Sequence, residues 1–274
     1  MTLSEGMARG PVAMLEGRAA LLRLWREYRD IAWAHGLPFF ATTPTRRANR
    51  ARMERAGHGP ELIAQNVALL RSLAQGGPMC VGGLMGCRGD AYTGEGALPR
   101  QEARAFHRWQ AEAFRRAGAD FLLAGILPTA PEAQGMAQAM AETGLPYVLS
   151  LTLRRDGRLV DGTRLCDLIR ETDALLGEGR PAFYMSNCIH PDAVRAALDQ
   201  ASTGAARCGR ASWACRPIPR PAPLRSWTAR RRCRAMRPSP GPRPCCACTA
   251  RTPCACWAAA AARTAGTWRR SPRG

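Results

Sequence analysis

The chain has 274 residues and a formal net charge of +19, all of it from arginine, because no lysine occurs among its forty basic residues. That length suits one large or two small domains with a buried core. No stretch reaches the roughly 18 apolar residues of a membrane span, and residues 1–17 lack the apolar run of a secretory leader, so the expected setting is the cytoplasm, with no membrane partner and reduced thiols.

Taken in chain order, the first predicted element is a helix in which Leu21, Leu22, Leu24, Trp25, Tyr28, Ile31 and Ala32 recur at three- and four-residue steps. Five short apolar runs follow, bounded by Gly, Pro or charge: Pro38–Thr43, Met79–Met85, Asp120–Ala124, Tyr147–Leu153 and Ala182–Ser186. Uninterrupted runs of this kind suit strands buried on both faces of a parallel sheet. Helical periodicity returns between them, at Ala105, Trp109, Ala113 and Phe114 and again at Leu165, Leu168, Ile169, Leu175 and Leu176; Pro191 then opens a helix over Asp192–Asp199. This β/α alternation of about 35 residues per unit predicts an α/β barrel or a doubly wound sheet, and the lack of a Gly-rich phosphate loop favours the barrel.

The chemistry of the chain breaks after Asp199. From Gln200 to Gly274 there is no Asp or Glu, whereas sixteen Arg and eight of the twelve Cys lie there. One Ile, one Leu and no Val, Phe or Tyr leave this segment little to set against its ordering entropy. The expected organisation is therefore a barrel-like part over residues 1–199 and a mostly disordered tail over 200–274.

In a barrel, reactive groups sit where strands end, at the C-terminal face. Asn187-Cys188 falls at such a point, just before His190-Pro191 introduces a helix. A thiolate there suits a zinc ligand or a nucleophile, whereas a strand-end Cys is also commonly a small buried residue. His107 reads as packing or surface, Cys80, Cys87 and Cys166 as inert small residues, and Arg46, Arg47, Arg50, Arg52 and Arg55 as a solvated helix start, with binding of an anionic substrate as the alternative.

The ordered series Gly83-Leu84-Met85-Gly86, Gly89-Asp90-Ala91-Tyr92, Glu102-Ala103, Phe106-His107, Ala117-Gly118-Ala119-Asp120, Pro128, Glu132-Ala133, Leu145-Pro146, Val160-Asp161-Gly162 and Asn187-Cys188-Ile189-His190-Pro191 resembles the homocysteine S-methyltransferase family. Tyr28 to Ala34 and Thr43 to Arg50 resemble that family's second unit, and the likeness spans about Gly17 to Asp199. It implies a (β/α)8 TIM-type barrel and transfer of a methyl group from a small-molecule donor, such as S-methylmethionine or S-adenosylmethionine, to the thiol of homocysteine, a step of methionine biosynthesis. It also implies Zn2+ held by three cysteines, of which Cys188 matches the first, with Asn187 beside it as a substrate contact. A free thiol ionises near pH 8.5, and coordination to zinc removes its proton.

The chain departs from that pattern in several places. No Gly-Gly-Cys-Cys-Gly motif occurs, Cys245-Cys246 stands in an Arg/Pro-rich context, the opening strand is missing from Met1 to Ala20, and Gly125 stands where many members carry a substrate-contacting Glu. The expectation is thus an incomplete barrel, lacking its first and last two strands, and an inactive, aggregation-prone product. The genetic code suggests a cause. Read from the third base of each codon, Cys256-Trp257 gives Leu, Trp257-Ala258 gives Gly, and each alanine junction through Ala262 encodes only Gly, Cys, Arg or Ser. The shifted frame then permits Leu-Gly-Gly-Cys-Cys-Gly-Thr-Asp, so a frameshift is expected between about Asp199 and Arg207. The alternative is a nonenzymatic protein whose tail binds nucleic acid, with Trp213, Trp227, Trp257 and Trp268 stacking on bases.

Overall fold

A computed structural model describes residues 15–202 and 213–217. In chain order the elements are α1 (Leu15–Ala34), β1 (Phe39–Thr42), α2 (Arg50–Arg55), α3 (Pro60–Arg71), β2 (Met79–Gly86), α4 (Arg100–Arg116), β3 (Phe121–Leu127), α5 (Ala130–Ala141), β4 (Tyr147–Leu151), α6 (Leu165–Leu176), β5 (Phe183–Ile189), α7 (Pro191–Ser202) and β6 (Trp213–Pro217). The strands form one parallel sheet in sequential order, β1-β2-β3-β4-β5-β6. Sequential parallel order with helical crossovers is the arrangement of a (β/α) barrel, and here the described strands make an open, incomplete one.

All five predicted strands are present. Their apolar runs are buried because helices cover the sheet: Val81, Met85, Leu122, Ala124, Leu149 and Leu151 join Ile63, Val67 and Leu70 of α3, Ala111 and Phe114 of α4, Met136 and Met140 of α5 and Leu168 of α6 in one core. The α4–α5 contact is close enough to require glycine. A Cβ on Gly135 would lie 2.2 Å from the Arg100 carbonyl oxygen and 2.7 Å from Ala103 Cβ. At the N-terminal side of the sheet, Asp120 accepts from the Val81 amide (2.7 Å) and pairs with Arg71 (2.6 Å), fixing the end of α3 against β2 and β3.

Two differences from the sequence reading matter for the site. First, β5 does not stop at Ser186; it runs on through Asn187 and Cys188 to Ile189 by way of a bulge. Second, a sixth strand, Trp213–Pro217, pairs with β5 beyond the break at Asp199. Only Trp213 in its Trp-Ala-Cys-Arg-Pro composition favours a strand, and no β-branched residue supports it. Trp213 belongs to that strand, whereas Trp227, Trp257, Trp268, Cys245-Cys246 and the alanine run lie outside the described residues. Among the described residues no helix is long and apolar enough to cross a membrane.

Candidate active site

The site is built from two strand-end irregularities and two loops. In β3, three steps from Ala124 to Leu127 lie opposite two in β4, from Leu149 to Leu151; in β5, three steps from Ser186 to Ile189 lie opposite two in β6, from Cys215 to Pro217. Each strand therefore carries one extra residue, and the extra residue bends the chain and re-aims a side chain. Ile126 (φ 60°) and Cys188 (φ 58°) are the two non-glycine residues with positive φ among the described residues, and each sits in one of these bulges. Left-handed backbone at such residues costs free energy, so the surrounding ladder must impose it.

The β5 bulge leaves Cys188 exposed. Its thiol acts on the phenol of Tyr92, and that interaction, ahead of burial, holds the Tyr92 ionisation above the ordinary phenol value. Asn187, half-buried beside it, accepts through Oδ1 from the hydroxyl of buried Ser150 on β4. Ser186 in turn donates to the Leu151 carbonyl (2.7 Å), so two hydroxyls lock the end of β5 to β4.

Tyr92 is supplied by the β2–α4 loop. Asp90 shapes that loop as an Asx turn, accepting from the amides of Tyr92 and Thr93 at 2.8 Å each, and these bonds hold its carboxylate below the usual range. The base of the loop is gripped from below. Glu132, in the first turn of α5 and fully buried, accepts from the Arg88 amide (2.7 Å) and from Nε2 of fully buried His107 (3.1 Å). His107 is thus a core residue, on the packing side of the two readings its position allowed. Cys87, next to Arg88, is buried, and burial, assisted by the Glu132 carboxylate, pushes its thiol up to about 11, which makes it inert at neutral pH.

The arginine cluster corrects one expectation. Arg50 and Arg55 are exposed, as a solvated helix start requires, but Arg46, Arg47 and Arg52 are half-buried. Burial is the first cause that lowers the Arg52 ionisation, followed by repulsion from Arg47, Arg55 and Arg46. Arg46 turns inward because the loop after β1 crosses the end of β2, where its stem lies against Gly86.

Sequence reasoning named Asn187 and Cys188, kept the Arg46 cluster open for an anionic substrate, and missed Tyr92 and Ser150 as their company. The Asp90-Ala91-Tyr92-Thr93 turn was the legible signal for Tyr92; Ser150, one polar residue in an apolar strand, was the signal for itself. Among the described residues no group of three or more His, Cys, Asp and Glu side chains is placed to hold a metal ion. Taken alone, they offer zinc one thiolate, Cys188, which does not amount to the three-cysteine site that the resemblance implies.

Sequential parallel strands with helical crossovers make this an α/β protein of the barrel type, and its exposed strand-end thiol, Cys188, lies on the face where such proteins carry their sites. The comparisons with known proteins carry this one step further. The family model described as homocysteine S-methyltransferase matches residues 33–223, and the chain belongs to that family. The match runs past Asp199 and takes in β6. A homocysteine S-methyltransferase of Escherichia coli K12 is 32% identical over 140 residues, which is 48% of this chain and 44% of that protein, so the aligned part spans less than half of this relative. The crystal structure of the E. coli homocysteine methyltransferase MmuM in its metallated form is similar at 27% identity and a TM-score of 0.55, over 68% of this chain and 72% of that one. Its oxidised form shares the fold at 24% identity and a TM-score of 0.58, over 74% and 73%.

Proposed function

We propose that this chain carries the acceptor side of a thiol methyltransferase site, where a small thiol such as homocysteine meets Cys188 and Asn187 at the end of β5. The observation that carries the reading is Cys188 itself: an exposed thiol held by an imposed left-handed bulge within a family of homocysteine methyltransferases. In the reaction, the methyl–sulfur bond of a donor breaks, a methyl–sulfur bond forms on the acceptor, and the acceptor thiol loses its proton. Asn187 would orient the acceptor, since Ser150 already occupies its Oδ1 and leaves the amide nitrogen to donate. Cys188 would give Zn2+ one thiolate. The setting we infer is the cytoplasm, where thiols stay reduced.

We also infer that this chain does not turn over. The support lies in the sequence: the paired-cysteine motif Gly-Gly-Cys-Cys-Gly occurs nowhere in it, and the acidic residues end at Asp199. The test uses the purified full chain. Homocysteine should protect Cys188 from iodoacetamide, read by peptide mass mapping, while zinc stays well below one equivalent and no methylated product forms from S-methylmethionine or S-adenosylmethionine. Absence of protection would sink the acceptor site. One tight equivalent of zinc, lost in Cys188→Ser, together with turnover, would sink the inactivity and keep the site.

A further inference from the structure

Helix α1 carries apolar side chains on two faces. The inner face is engaged: Leu22 and Trp25 pack against the core, Arg29 donates to the Leu73 carbonyl (3.1 Å) and Trp33 Nε1 to that of Pro78 (3.0 Å). The outer face is open. Leu24, Tyr28 and Ile31 recur there at four- and three-residue steps and are 47%, 58% and 54% exposed. Six large apolar side chains are exposed among the described residues, and four of them fall in this one stretch, which ends at Leu37. Exposed apolar surface gathered in one place, rather than scattered singly, marks an interaction face, and a helix apolar on two sides needs cover on both.

Three features say what covers it. In a ring of helices each one is flanked on two sides, and α1, first in the order, is met on one side by Leu73, just past the end of α3. The chain beyond Pro217 has few large aliphatic side chains to lay over the stripe: one Ile, one Leu and no Val. The charges beside the stripe, in contrast, are complementary to themselves. Arg23 and Glu27 are exposed one turn apart and enter no ion pair among the described residues. An arginine placed before a glutamate is also the weaker order for a pair within one helix. Set antiparallel against a copy of itself, the face brings Leu24 of each chain to Tyr28 of the other and Arg23 of each to Glu27 of the other. A two-fold axis makes every such contact twice.

We propose that the outer face of α1 docks a second copy of this chain, the two helices running antiparallel about a two-fold axis between Leu24 and Tyr28. One helix face from each copy buries on the order of 1,000 Å² in total, the low end for a specific interface, so the dimer is a dissociable one. This interface is independent of the methyl-transfer reading of Cys188.

The experiment is sedimentation velocity of the full chain. The wild type should pass from monomer to dimer with a Kd on the order of 10–100 μM. Tyr28→Glu puts a charge at the centre of the contact and should weaken the dimer by roughly 10-fold or more, with the melting temperature unchanged because the side chain is exposed. Arg23→Glu and Glu27→Arg each set like charges together twice and should each weaken it about 3- to 10-fold, whereas the two variants mixed should pair at least as tightly as the wild type. A monomer throughout the range, a dimer indifferent to Tyr28→Glu, or a mixture no tighter than its components each overturns the proposal. If the wild type associates without limit, Tyr28→Glu must lower that association, and undiminished growth in the variant overturns the proposal equally. A monomer that binds phosphatidylglycerol vesicles through Tyr28 assigns the face to a lipid surface and overturns it as well.

Discussion

Strands β3 and β5 end in the same backbone device and lead to opposite surroundings. Both carry one extra residue, both hold a non-glycine residue at positive φ, and both are followed within a few residues by a helix with an acidic group in its first turn. At the β3 end the extra residue is Ile126, packed against the core, and the acid is Glu132, fully buried and clamped to His107 and the β2–α4 loop. At the β5 end the extra residue is Cys188, exposed, and the acid is Asp192, on the surface. The fold supplies the geometry twice, and burial determines that one copy serves as a structural anchor while the other stays open at the surface.

The closed side should break first. Glu132→Ala leaves the His107 imidazole and the Arg88 amide without their acceptor in a dry interior, and removing one partner of a buried pair costs about 3–5 kcal/mol. Glu132→Gln keeps an acceptor and should lose less. Chemical denaturation of both variants measures the gap; equal, small losses would mean that the pair is not the anchor. Cys87 gives the next effect. Its folded ionisation lies above its unfolded one, so the neutral thiol is favoured by folding; the contribution is complete below about pH 9 and is lost as pH rises toward about 11. Over that window the wild type should lose about 2–3 kcal/mol that Cys87→Ala does not, because the buried tyrosines titrate identically in both.

Much of the β3 and β5 ends was legible in the sequence, and the remainder follows from what a one-dimensional reading lacks. Apolar runs at Asp120–Ala124 and Ala182–Ser186 marked both strands because burial on two faces confines their charged and hydroxyl residues, Asp120 and Ser186, to the ends of the runs. Their true ends, Leu127 and Ile189, were not marked, because a bulge depends on partner register rather than on local composition. Cys188 stood out through its neighbours Asn187 and His190-Pro191. Arg46 was left between a solvated helix start and an anion site, because a run of arginines looks the same whether solvated or folded inward; Gly86 and Gly125, on the neighbouring strands β2 and β3, show where its stem lies. Strand β6 escaped for a different reason: its pairing to β5 is made by backbone, which composition does not report.

A smaller effect sharpens the likeness of the two bulges. Cys188→Gly removes the cost of a side chain at φ 58° and should raise stability by about 1 kcal/mol while removing the thiol. Ile126→Gly relieves the same strain but gives up the apolar contacts of a half-buried side chain, so it should gain nothing. Melting temperatures of the two variants measure the difference. Equal gains would show that Ile126 packs no better than an exposed residue.

The smallest expected effect is at Asp192. Its Oδ2 lies 3.2 Å from His190 Nδ1, with side chains 73% and 42% exposed respectively, and its amide donates to the same ring nitrogen at 3.3 Å. On paper this copies the closed side, with an acid in the first turn of a helix and a histidine beside it. Water screens it, however, so Asp192→Asn should change stability by less than about 0.5 kcal/mol, and that difference should shrink further in 1 M salt. The matching experiment on Glu132→Gln should show little salt dependence, since ions do not reach a fully buried carboxylate. If both variants responded to salt alike, burial would not be what separates the two strand ends.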